Sequence, residues 1–538
     1  MQEYVVTLKS FDDLESFYED METEGGSITI PDRRVDCHCR RNISRNTHYM
    51  LTEDEAEQVR NDDRVLAVEL LPSLRDIKPV AFWEQFDDFE KSSTIGTNDK
   101  NWGLYRLVNG HVSNWGTDSI FSQITGEVFT TSSGKYVDVV VVDSHINPDH
   151  PEFAVNPDGT GGSRAVQYDW FQHSAALGIN TTGSYDYSDI SSNHGTHVAG
   201  TVAGNTQGWA RDAIIYNMEF NYAGSFPFAD WDLYLFDYIR EWHKTKPVNP
   251  VTGRRNPTVT NHSWGYSYGN IFLSGISSVT YRGVTTSLSG LTTAQKKTEL
   301  ESKGVPVPAG TYLFRTPARV AALDADIQDA INDGVIVVSS AGNSYWNMVT
   351  STSDDWNNIV SGINHNRGSS PGAADNVICV GNVGVSNNQY KANSSNYGER
   401  VDIWAPGTNI VSAVYDSTAA TEFGVTLAND PRDSNYKLAS ISGTSMSGPQ
   451  IAGLLACYAE QNQNLSQAEA LEYLIDNSTA ELGDTGGNFG DYTSLGDSTN
   501  NRYATYIFER PLNGMTFNTG THKKRPLNGA VFPRKRYR

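Results

Sequence analysis

The segment DVVVVD, residues 138–143, is the feature that most narrows what this chain can fold into. Four consecutive valines leave no polar face, so a strand made of them is buried on both sides, as the strands of parallel sheets are. Similar apolar segments recur in AIIYNMEF, PTVTNHSW and GVIVVSS, with helical stretches such as RVAALDADIQDAIND between them. This alternation predicts an α/β unit over residues 101–500, with a parallel sheet covered by helices on both faces.

Residues 1–72 have a different pattern. They read as strand, helix, strand, strand, helix, strand, beginning with YVVTLKS and ending with VLAVELLP. Thr52 and Glu55 form a Thr-x-x-Glu capping box ahead of the second helix. The order predicts a small α+β domain of the ferredoxin-like kind. Residues 73–100 lose this periodicity and gain Pro, Ser, Thr and charge, which predicts a linker.

Charge and hydropathy limit the partners. The 538-residue chain has a formal net charge of -22, which opposes binding to nucleic acid. No stretch approaches the length of apolar sequence that a transmembrane helix needs, and the start, MQEYVVTLKSFDD, lacks the pattern of a secretion signal. We therefore expect neither nucleic acid nor membrane as a partner, and a location in the cytoplasm or in a larger particle such as that of a tailed virus.

The C-terminal residues 501–538 differ from the acidic chain before them. From residue 502 onward there are nine Lys or Arg and one acid, Glu509, and the sequence RPLNG occurs at 510–514 and again at 525–529. Such a tail is either solvated or a docking element, and the sequence leaves both interpretations open.

A serine in SISGTSMSGPQIAGLLA points to nucleophilic chemistry. Ser445 lies where a polar turn meets an apolar helix, and its hydroxyl is a weak nucleophile unless a base reaches it. His194, at the start of the small-residue helix HGTHVAGTVAG, is the candidate base. Asp143, directly after the four valines, is the candidate carboxylate that would hold the imidazole by a hydrogen bond.

A metal site is the alternative interpretation of the same helix. His194 and His197 are three residues apart, which is a spacing that metal ligands use, although no acidic or histidine partner follows in the usual pattern. The sequence therefore leaves a metal hydrolase open as a weaker hypothesis, and the metal content unknown.

Taken together, these segments resemble the subtilisin-like serine peptidases, the subtilase family, and are nearer to the proteinase K branch. The resemblance covers about residues 100–480 and rests on VVVVDSHINPDHPEF, NHGTHVAGTVAG, SAGN, DIWAPGTNI and SGTSMSGPQIAG. The order Asp143, His194, Ser445 is the subtilisin order of the catalytic triad. The resemblance implies a serine endopeptidase with a subtilisin-like parallel sheet.

The family pattern also implies roles for residues outside the triad. It places Asn343 of SAGN in the oxyanion hole, together with the Ser445 backbone N–H. It places Ser263, Trp264 and Gly265 of NHSWGY along the bound peptide or protein substrate, as an edge strand with Trp264 lining a pocket. Residues 268–318 form a large insertion after this strand.

By the same resemblance, residues 1–72 are similar to the propeptide that folds and inhibits many subtilases. The chain would then be a zymogen whose own N-terminal domain is its inhibitor, with the mature domain beginning near NWGLYRL at 101–107. Two alternatives stay open. Residues 1–72 could be a permanent accessory domain, and the whole chain could be a non-catalytic structural or interaction protein on a subtilase scaffold.

The resemblance implies no cofactor for the chemistry but leaves a structural calcium open. Glu152 falls where some relatives have a calcium ligand. The loop GNTQGWARDA is shorter than the one that completes that site, as in the proteinase K branch.

Overall fold

A computed structural model describes residues 1–23, 30, 33–41, 43–81, 102–109, 130, 132–188, 190, 192–384, 389–483, 494–495 and 499–506. Most of the linker and of the basic tail that the sequence predicts, including both RPLNG copies, lies outside these residues. Among the helices within them, none is long and apolar enough to cross a bilayer.

Strands and helices alternate over most of the described chain. The described strands are β1 (Gln2–Leu8), β2 (Cys37–Arg40), β3 (Asn46–Leu51), β4 (Val65–Leu70), β5 (Ile77–Ala81), β6 (Asp138–Asp143), β7 (Ala165–Val166), β8 (Ile214–Glu219), β9 (Thr258–His262), β10 (Trp264–Tyr268), β11 (Ile271–Phe272), β12 (Ser278–Tyr281), β13 (Val284–Ser287), β14 (Tyr312–Leu313), β15 (Ile336–Ser340), β16 (Ile359–Val360), β17 (Ile363–Asn364), β18 (Ile378–Val383), β19 (Ile403–Pro406), β20 (Ile410–Val414), β21 (Ala428–Asn429), β22 (Lys437–Ile441), β23 (Ser478–Thr479) and β24 (Tyr503–Ala504). The described α-helices are α1 (Leu14–Glu22), α2 (Glu53–Arg60), α3 (Trp102–Asn109), α4 (Ser174–Leu177), α5 (His194–Ala203), α6 (Leu235–Thr245), α7 (Thr293–Glu301), α8 (Ala321–Asn332), α9 (Ala419–Phe423), α10 (Thr444–Gln461) and α11 (Gln467–Asp476).

The central sheet contains nine of the described strands, in the order β23-β24-β19-β18-β15-β9-β6-β8-β7. Every neighbouring pair from β24 to β7 is parallel, and β23 pairs with β24 antiparallel. Parallel neighbours need crossover connections, which here are supplied by helices and long loops.

The four consecutive valines of β6 pack against helices on both faces of the sheet. All six of its residues are buried. Val139 and Val141 pack in the hydrophobic cluster that holds residues of α5 and α10, whereas Val140 and Val142 pack in the cluster that holds residues of α6 and α8. Helices thus cover both faces of the sheet, and the α/β prediction is confirmed.

The N-terminal residues fold around a sheet of their own. Its order is β2-β3-β1-β4, with every pair antiparallel, and the chain order is β-α-β-β-α-β, as in ferredoxin-like domains. The capping box ahead of α2 is present, with Thr52 and Glu55 each bonding the other's backbone N–H. A separate hydrophobic cluster lies between this sheet, α1 and α2.

Part of the segment that the sequence assigns to a linker is a strand. Residues 77–81 form β5, which pairs antiparallel with β10 from Ile77 opposite Tyr268 to Ala81 opposite Trp264. The segment IKPVA has little strand signal of its own, and its partner lies more than 180 residues away in the chain. This pairing ties the N-terminal unit to the larger unit.

The insertion at 268–318 builds a small subdomain. Its strands β12 and β13 join β16 and β17, from the loop after Asn343, in the order β13-β12-β16-β17. Apolar residues of the insertion surround Trp346 and Val360 in a cluster distinct from the two that cover the central sheet. The two long segments therefore stabilise each other.

Candidate active site

The site lies at the carboxyl ends of three neighbouring strands of the central sheet, where open α/β sheets bind their ligands. Asp143 ends β6, Ser263 follows β9, and Asn343 lies three residues after the end of β15. Two helices begin at the same edge: α5 at His194, and α10 at Thr444, next to Ser445. The topology thus gathers residues that are up to 302 positions apart in sequence, Asp143 and Ser445 being the extremes.

Asp143 and His194 form a buried pair. The carboxylate Oδ1 lies 2.6 Å from His194 Nδ1, and both side chains are fully buried. Oδ1 also accepts a hydrogen bond from the Ser144 backbone N–H at 2.8 Å. Because the carboxylate bonds Nδ1, it fixes the orientation of the ring and presents the other nitrogen, Nε2, as the one that can take a proton.

A close approach between backbone segments makes this pairing possible. A Cβ at Gly195 would lie 2.3 Å from the Ser144 carbonyl oxygen, so a side chain there would push the helix away from the strand. The Gly195 N–H donates to Ser144 Oγ at 2.7 Å. The glycine after His194 therefore sets the distance between α5 and the end of β6.

Ser445 is the second residue of α10, and two contacts tie it to the substrate-strand segment. Ser445 Oγ donates to the Ser263 carbonyl oxygen at 3.0 Å, and Ser263 Oγ donates to the Ser445 carbonyl oxygen at 3.0 Å. Gly443 precedes the helix with φ 147°, in the region that favours glycine. The helices that carry Ser445 and His194 pack against each other.

Three buried polar atoms of the candidate site residues have no hydrogen-bond partner among the described residues: Asp143 Oδ2, His194 Nε2 and Asn343 Nδ2. The side-chain oxygen of Asn343 accepts from Thr444 N and Thr444 Oγ1, both at 2.9 Å. This anchoring leaves the amide N–H groups as the available donors. The sequence predicts Asn343 as a site residue but does not predict that Thr444 anchors it. The sequence indicates Thr444 only by its position next to Ser445.

Ser263, Trp264 and Gly265, which the sequence places beside the substrate, lie at the strand edge, but the Trp264 ring is not exposed. Trp264 and Gly265 pair through their backbone with Ala81 and Val80 of β5. The Trp264 ring is fully buried and stacks on Phe220 with centroids 5.2 Å apart. Trp264 therefore supports the edge strand from the core side, and its role as a pocket wall stays a prediction.

His197 does not join His194 in a metal site. Its Nε2 faces the carbonyl oxygens of Ile410 and Ala439, at 3.0 and 3.2 Å. Burial lowers the pKa of His197 to about 3. No group of three His, Cys, Asp or Glu residues in the described part of the chain is arranged to hold a metal ion.

Glu152 is already satisfied by protein donors and does not fit a calcium ligand. Its carboxylate accepts from the backbone N–H groups of Thr206 and Gln207, both at 3.0 Å, and from Thr206 Oγ1 at 2.5 Å. It also pairs with the guanidinium of Arg432. The cation at this position is thus a side chain of the protein.

Comparisons with known proteins agree with this geometry. The sequence profile of the subtilase family, peptidase S8, matches residues 134–503. Alkaline protease 1 of Emericella nidulans is 27% identical over 376 residues, which are 69% of this chain and 64% of that protein. The cuticle-degrading serine protease of Arthrobotrys oligospora is 25% identical over 383 residues, 70% of this chain and 64% of that protein. The chain thus spans somewhat less than two thirds of these relatives.

Among solved structures, fervidolysin from Fervidobacterium pennivorans, a keratinolytic enzyme related to subtilisin, is similar with a TM-score of 0.50 at 16% identity. The superposition covers 94% of this chain and 60% of that one. At this identity the likeness shows the fold and nothing more.

Proposed function

Because the chain belongs to the subtilase family, we propose that it is a serine endopeptidase that cleaves peptide bonds through an acyl-enzyme. The observation that carries the proposal is the buried 2.6 Å contact between Asp143 and His194, at the strand edge where Ser445 lies in the first turn of α10. An ionised carboxylate in a buried position is costly unless a hydrogen bond satisfies it, and the imidazole supplies that bond.

The proposed reaction assigns one step to each residue. His194 Nε2 takes the proton of Ser445 as Oγ attacks the substrate carbonyl, and Asp143 stabilises the imidazolium that forms. The Asn343 amide and the Ser445 backbone N–H donate to the oxyanion of the tetrahedral intermediate. The imidazolium then protonates the leaving amine, and water attacks the acyl-enzyme with His194 again acting as base.

The hydroxyl of Ser445 has to leave its present acceptor for this to happen. It donates to the Ser263 carbonyl oxygen, and a hydroxyl rotates easily to a new acceptor. Catalytic hydrogen bonds often tighten only when the substrate is bound.

The proposed substrate is a protein or peptide in an extended conformation. β10 offers its backbone to an antiparallel neighbour, so a substrate would add to it as a strand, with main-chain hydrogen bonds supplying affinity. The neighbour in this structure is β5 of the same chain, whose five residues pair with Trp264 through Tyr268. We therefore propose that the N-terminal unit is an intramolecular inhibitor and the chain a zymogen.

Buried charges dock the N-terminal unit on α6 and α8. Arg41 is fully buried between Asp237 of α6 and Asp326 of α8. Glu69 accepts hydrogen bonds from the N–H groups of Ala321 and Ala322, at the start of α8, where a negative charge is favoured. These contacts hold β5 against β10 and support the inhibitor role.

We propose that the chemistry needs no cofactor. The described acids and bases of the site carry every step of the proposed reaction, and Glu152 has Arg432 as its counter-charge. Structural calcium elsewhere, docking through the basic tail, and the location of the protein stay predictions.

Active-site labelling tests the proposed function. A fluorophosphonate probe should label the wild-type protein at Ser445, and Ser445→Ala should abolish both labelling and peptide hydrolysis. Ser447→Ala is the matched control, because Ser447 lies in the same helix and donates to the Thr444 carbonyl oxygen at 3.0 Å. Labelling of Ser445→Ala at the wild-type level would contradict the assignment.

Self-processing is tested by the intact mass of the purified protein. The new N-terminus should fall within residues 82–102, since β5 ends at Ala81 and Trp102 is buried, with Nε1 donating to the Thr408 carbonyl oxygen at 2.8 Å. The shortened form should be missing in Ser445→Ala. An intact, unlabelled wild-type chain would instead favour the scaffold alternative, in which β5 permanently fills the edge of β10.

A further inference from the structure

A cavity of about 370 Å³ lies between the N-terminal unit and the far end of β10. Ser73, Asp76 and Ile77 line it from the N-terminal side, and Asp230, Asp232 and Ser267 from the other side. Three of these six residues are acids. The N-terminal side would leave with the N-terminal unit, so Asp230 and Asp232 are the acids that a mature enzyme would keep.

Asp232 is buried, and one of its carboxyl oxygens is unpaired within the described structure. It is 6% exposed, and its Oδ2 has no hydrogen-bond partner among the described residues. Burial, and then the charge of Asp230, raise the pKa of Asp232 to about 8. A desolvated carboxyl that faces a second acid is stabilised by an incoming cation more than by any neutral group.

The described donors to Asp230 belong to the unit that would leave. It accepts hydrogen bonds from Ser73 Oγ at 3.0 Å and from the Ser73 N–H at 3.4 Å. Burial raises the pKa of Asp230 as well. Removal of the N-terminal unit takes these donors away and opens the cavity to whatever replaces β5.

The register of β5 on β10 indicates which substrate residue would reach the cavity. Ser263 exchanges hydrogen bonds with Ser445, so the substrate residue opposite Ser263 is the one whose carbonyl is attacked. β5 pairs in register from Trp264 to Tyr268, and Ile77, opposite Tyr268, lines the cavity. Counting from Ser263 as the first position, Tyr268 faces the sixth residue before the cleaved bond.

Building on the proposed function, we propose that Asp230 and Asp232 form a subsite for a basic side chain, Lys or Arg, at the sixth residue before the cleaved bond. The ammonium or guanidinium would donate to Asp232 Oδ2 and to Asp230 in place of Ser73. The chain's own occupant, Ile77, has no donor in its side chain. Ile77 therefore lines the cavity and leaves Asp232 Oδ2 unpaired among the described residues.

Matched peptides test this subsite. One peptide carries lysine at the sixth residue before the cleaved bond, and its partner carries norleucine, which has a similar aliphatic chain and no charge. We expect kcat/KM to be roughly tenfold higher for the lysine peptide, as a charge-assisted hydrogen bond provides. Lysine at the third or ninth residue before the bond should give no such gain.

Three variants locate the preference. Asp232→Asn should bring the lysine-to-norleucine ratio close to one, and Asp230→Asn should lower it in part. Asp354→Asn is the matched control, because it also removes one negative charge, at an exposed position in the loop after Asn343, and should keep the wild-type ratio.

The outcomes separate the subsite from the catalytic proposal. Hydrolysis of the norleucine peptide by the wild type, lost in Ser445→Ala, reports on the proposed function alone. Equal kcat/KM for the two peptides, or a preference that survives in the double variant D230N/D232N, would overturn the subsite while the peptidase assignment stands. No hydrolysis of either peptide by the shortened enzyme, before any probe is added, would count against both.

Discussion

The catalytic edge and the docking face of the N-terminal unit bury polar groups to a similar depth but differ in how those groups are paired. At the docking face, Asp326 accepts from Ser44 Oγ at 2.6 Å and from Asn46 Nδ2 at 2.8 Å, and also pairs with Arg41. At the catalytic edge, His194 Nε2 and Asn343 Nδ2 have no hydrogen-bond partner within the described residues.

The difference indicates whether the hydrogen-bond partners of each region come from the chain itself or from a substrate. A buried polar atom left unpaired costs about 1 to 3 kcal/mol, so folded proteins leave few of them. Those at the catalytic edge can be satisfied when a proton or an oxyanion arrives. The buried charges at the docking face are paired with opposite charges within the chain, Arg41 with Asp237 and Asp326, although neither Asp237 oxygen has a hydrogen bond among the described residues. That face is therefore a stable contact, and the catalytic edge a reactive one.

Arg41→Met is expected to have the largest effect, because it breaks the most buried pairing at the docking face. The variant leaves Asp237 and Asp326 without their shared guanidinium, and loss of one partner from a buried ion pair costs about 3 to 5 kcal/mol. In a Ser445→Ala background, amide hydrogen exchange of Ala321 and Ala322 should report this loss, since both N–H groups bond Glu69.

Arg33→Met is the matched control for Arg41→Met. Arg33 pairs with Glu55 at 2.6 Å inside the N-terminal unit, where both side chains are partly exposed. We expect the exchange of Ala321 and Ala322 to change by about 1 kcal/mol or less in this variant. Equal effects of the two substitutions would mean that the buried charges do not determine docking.

Asn343→Ala tests the unsatisfied donor at the catalytic edge. We expect kcat to fall about 10²- to 10³-fold with KM nearly unchanged, which is the range known for removal of one oxyanion-hole donor in subtilisin. Steady-state kinetics on a soluble peptide measures both values. The variant also removes Oδ1, the acceptor of two hydrogen bonds from Thr444, so the chain should lose about 1 to 3 kcal/mol of stability as well.

Asn205→Ala is the control for Asn343→Ala. The Asn205 amide donates to the carbonyl oxygens of Pro151 and Ala154 and accepts from Arg164 at 3.1 Å, so it is fully engaged. This variant should lose thermal stability and keep its kcat. The contrast fails if Asn205→Ala lowers kcat as much as Asn343→Ala does.

Local patterns in the sequence are enough to predict the fold class and to propose a site. The valines of β6 indicate a strand buried on both faces, and Thr52 with Glu55 marks the start of α2. Asp143, His194, Asn343 and Ser445 each lie in a short motif, and the topology brings them to one strand edge.

Contacts between distant segments had no local signal. β5 becomes a strand only because β10 pairs with it, and IKPVA alone reads as linker. Arg432 reaches Glu152 from 280 positions away, so the counter-charge of Glu152 was not predictable. The inward stacking of Trp264 on Phe220 likewise depends on tertiary packing.

His48 gives the docking face a dependence on pH. Its Nδ1 lies 2.7 Å from Glu3 Oε1 and its Nε2 lies 3.0 Å from Arg41 Nη1. Burial, together with the Arg41 charge, lowers the pKa of His48 to about 4, whereas an exposed histidine titrates near 6.5. The docked state therefore binds fewer protons between these values, so docking weakens as pH falls from about 6.5 to 4.

His48→Gln isolates this contribution. Other groups at the face titrate in both proteins, so the difference between wild type and variant, both carrying Ser445→Ala, reports His48 alone. Docking of the wild type should lose roughly 2 to 3 kcal/mol more than that of the variant between pH 6.5 and 4, as read from hydrogen exchange of Ala321 and Ala322. Parallel pH profiles would show that the pKa of His48 does not change on docking.

Thr444→Val is expected to have the smallest effect. It tests a contact between a hydrogen-bonded group and an unpaired group within the candidate active site. Thr444 Oγ1 donates to Asn343 Oδ1 at 2.9 Å and accepts from the Gly342 N–H at 3.0 Å. This fully hydrogen-bonded hydroxyl therefore orients the Asn343 amide, whose Nδ2 has no partner among the described residues. Valine keeps the shape, and the Thr444 N–H still holds Oδ1, so kcat should fall only about three- to tenfold. Thr444→Ser should restore it. In an Asn343→Ala background the valine substitution should cost nothing more, because nothing is left to aim; a further loss of the same size would show that Thr444 acts through Ser445 instead.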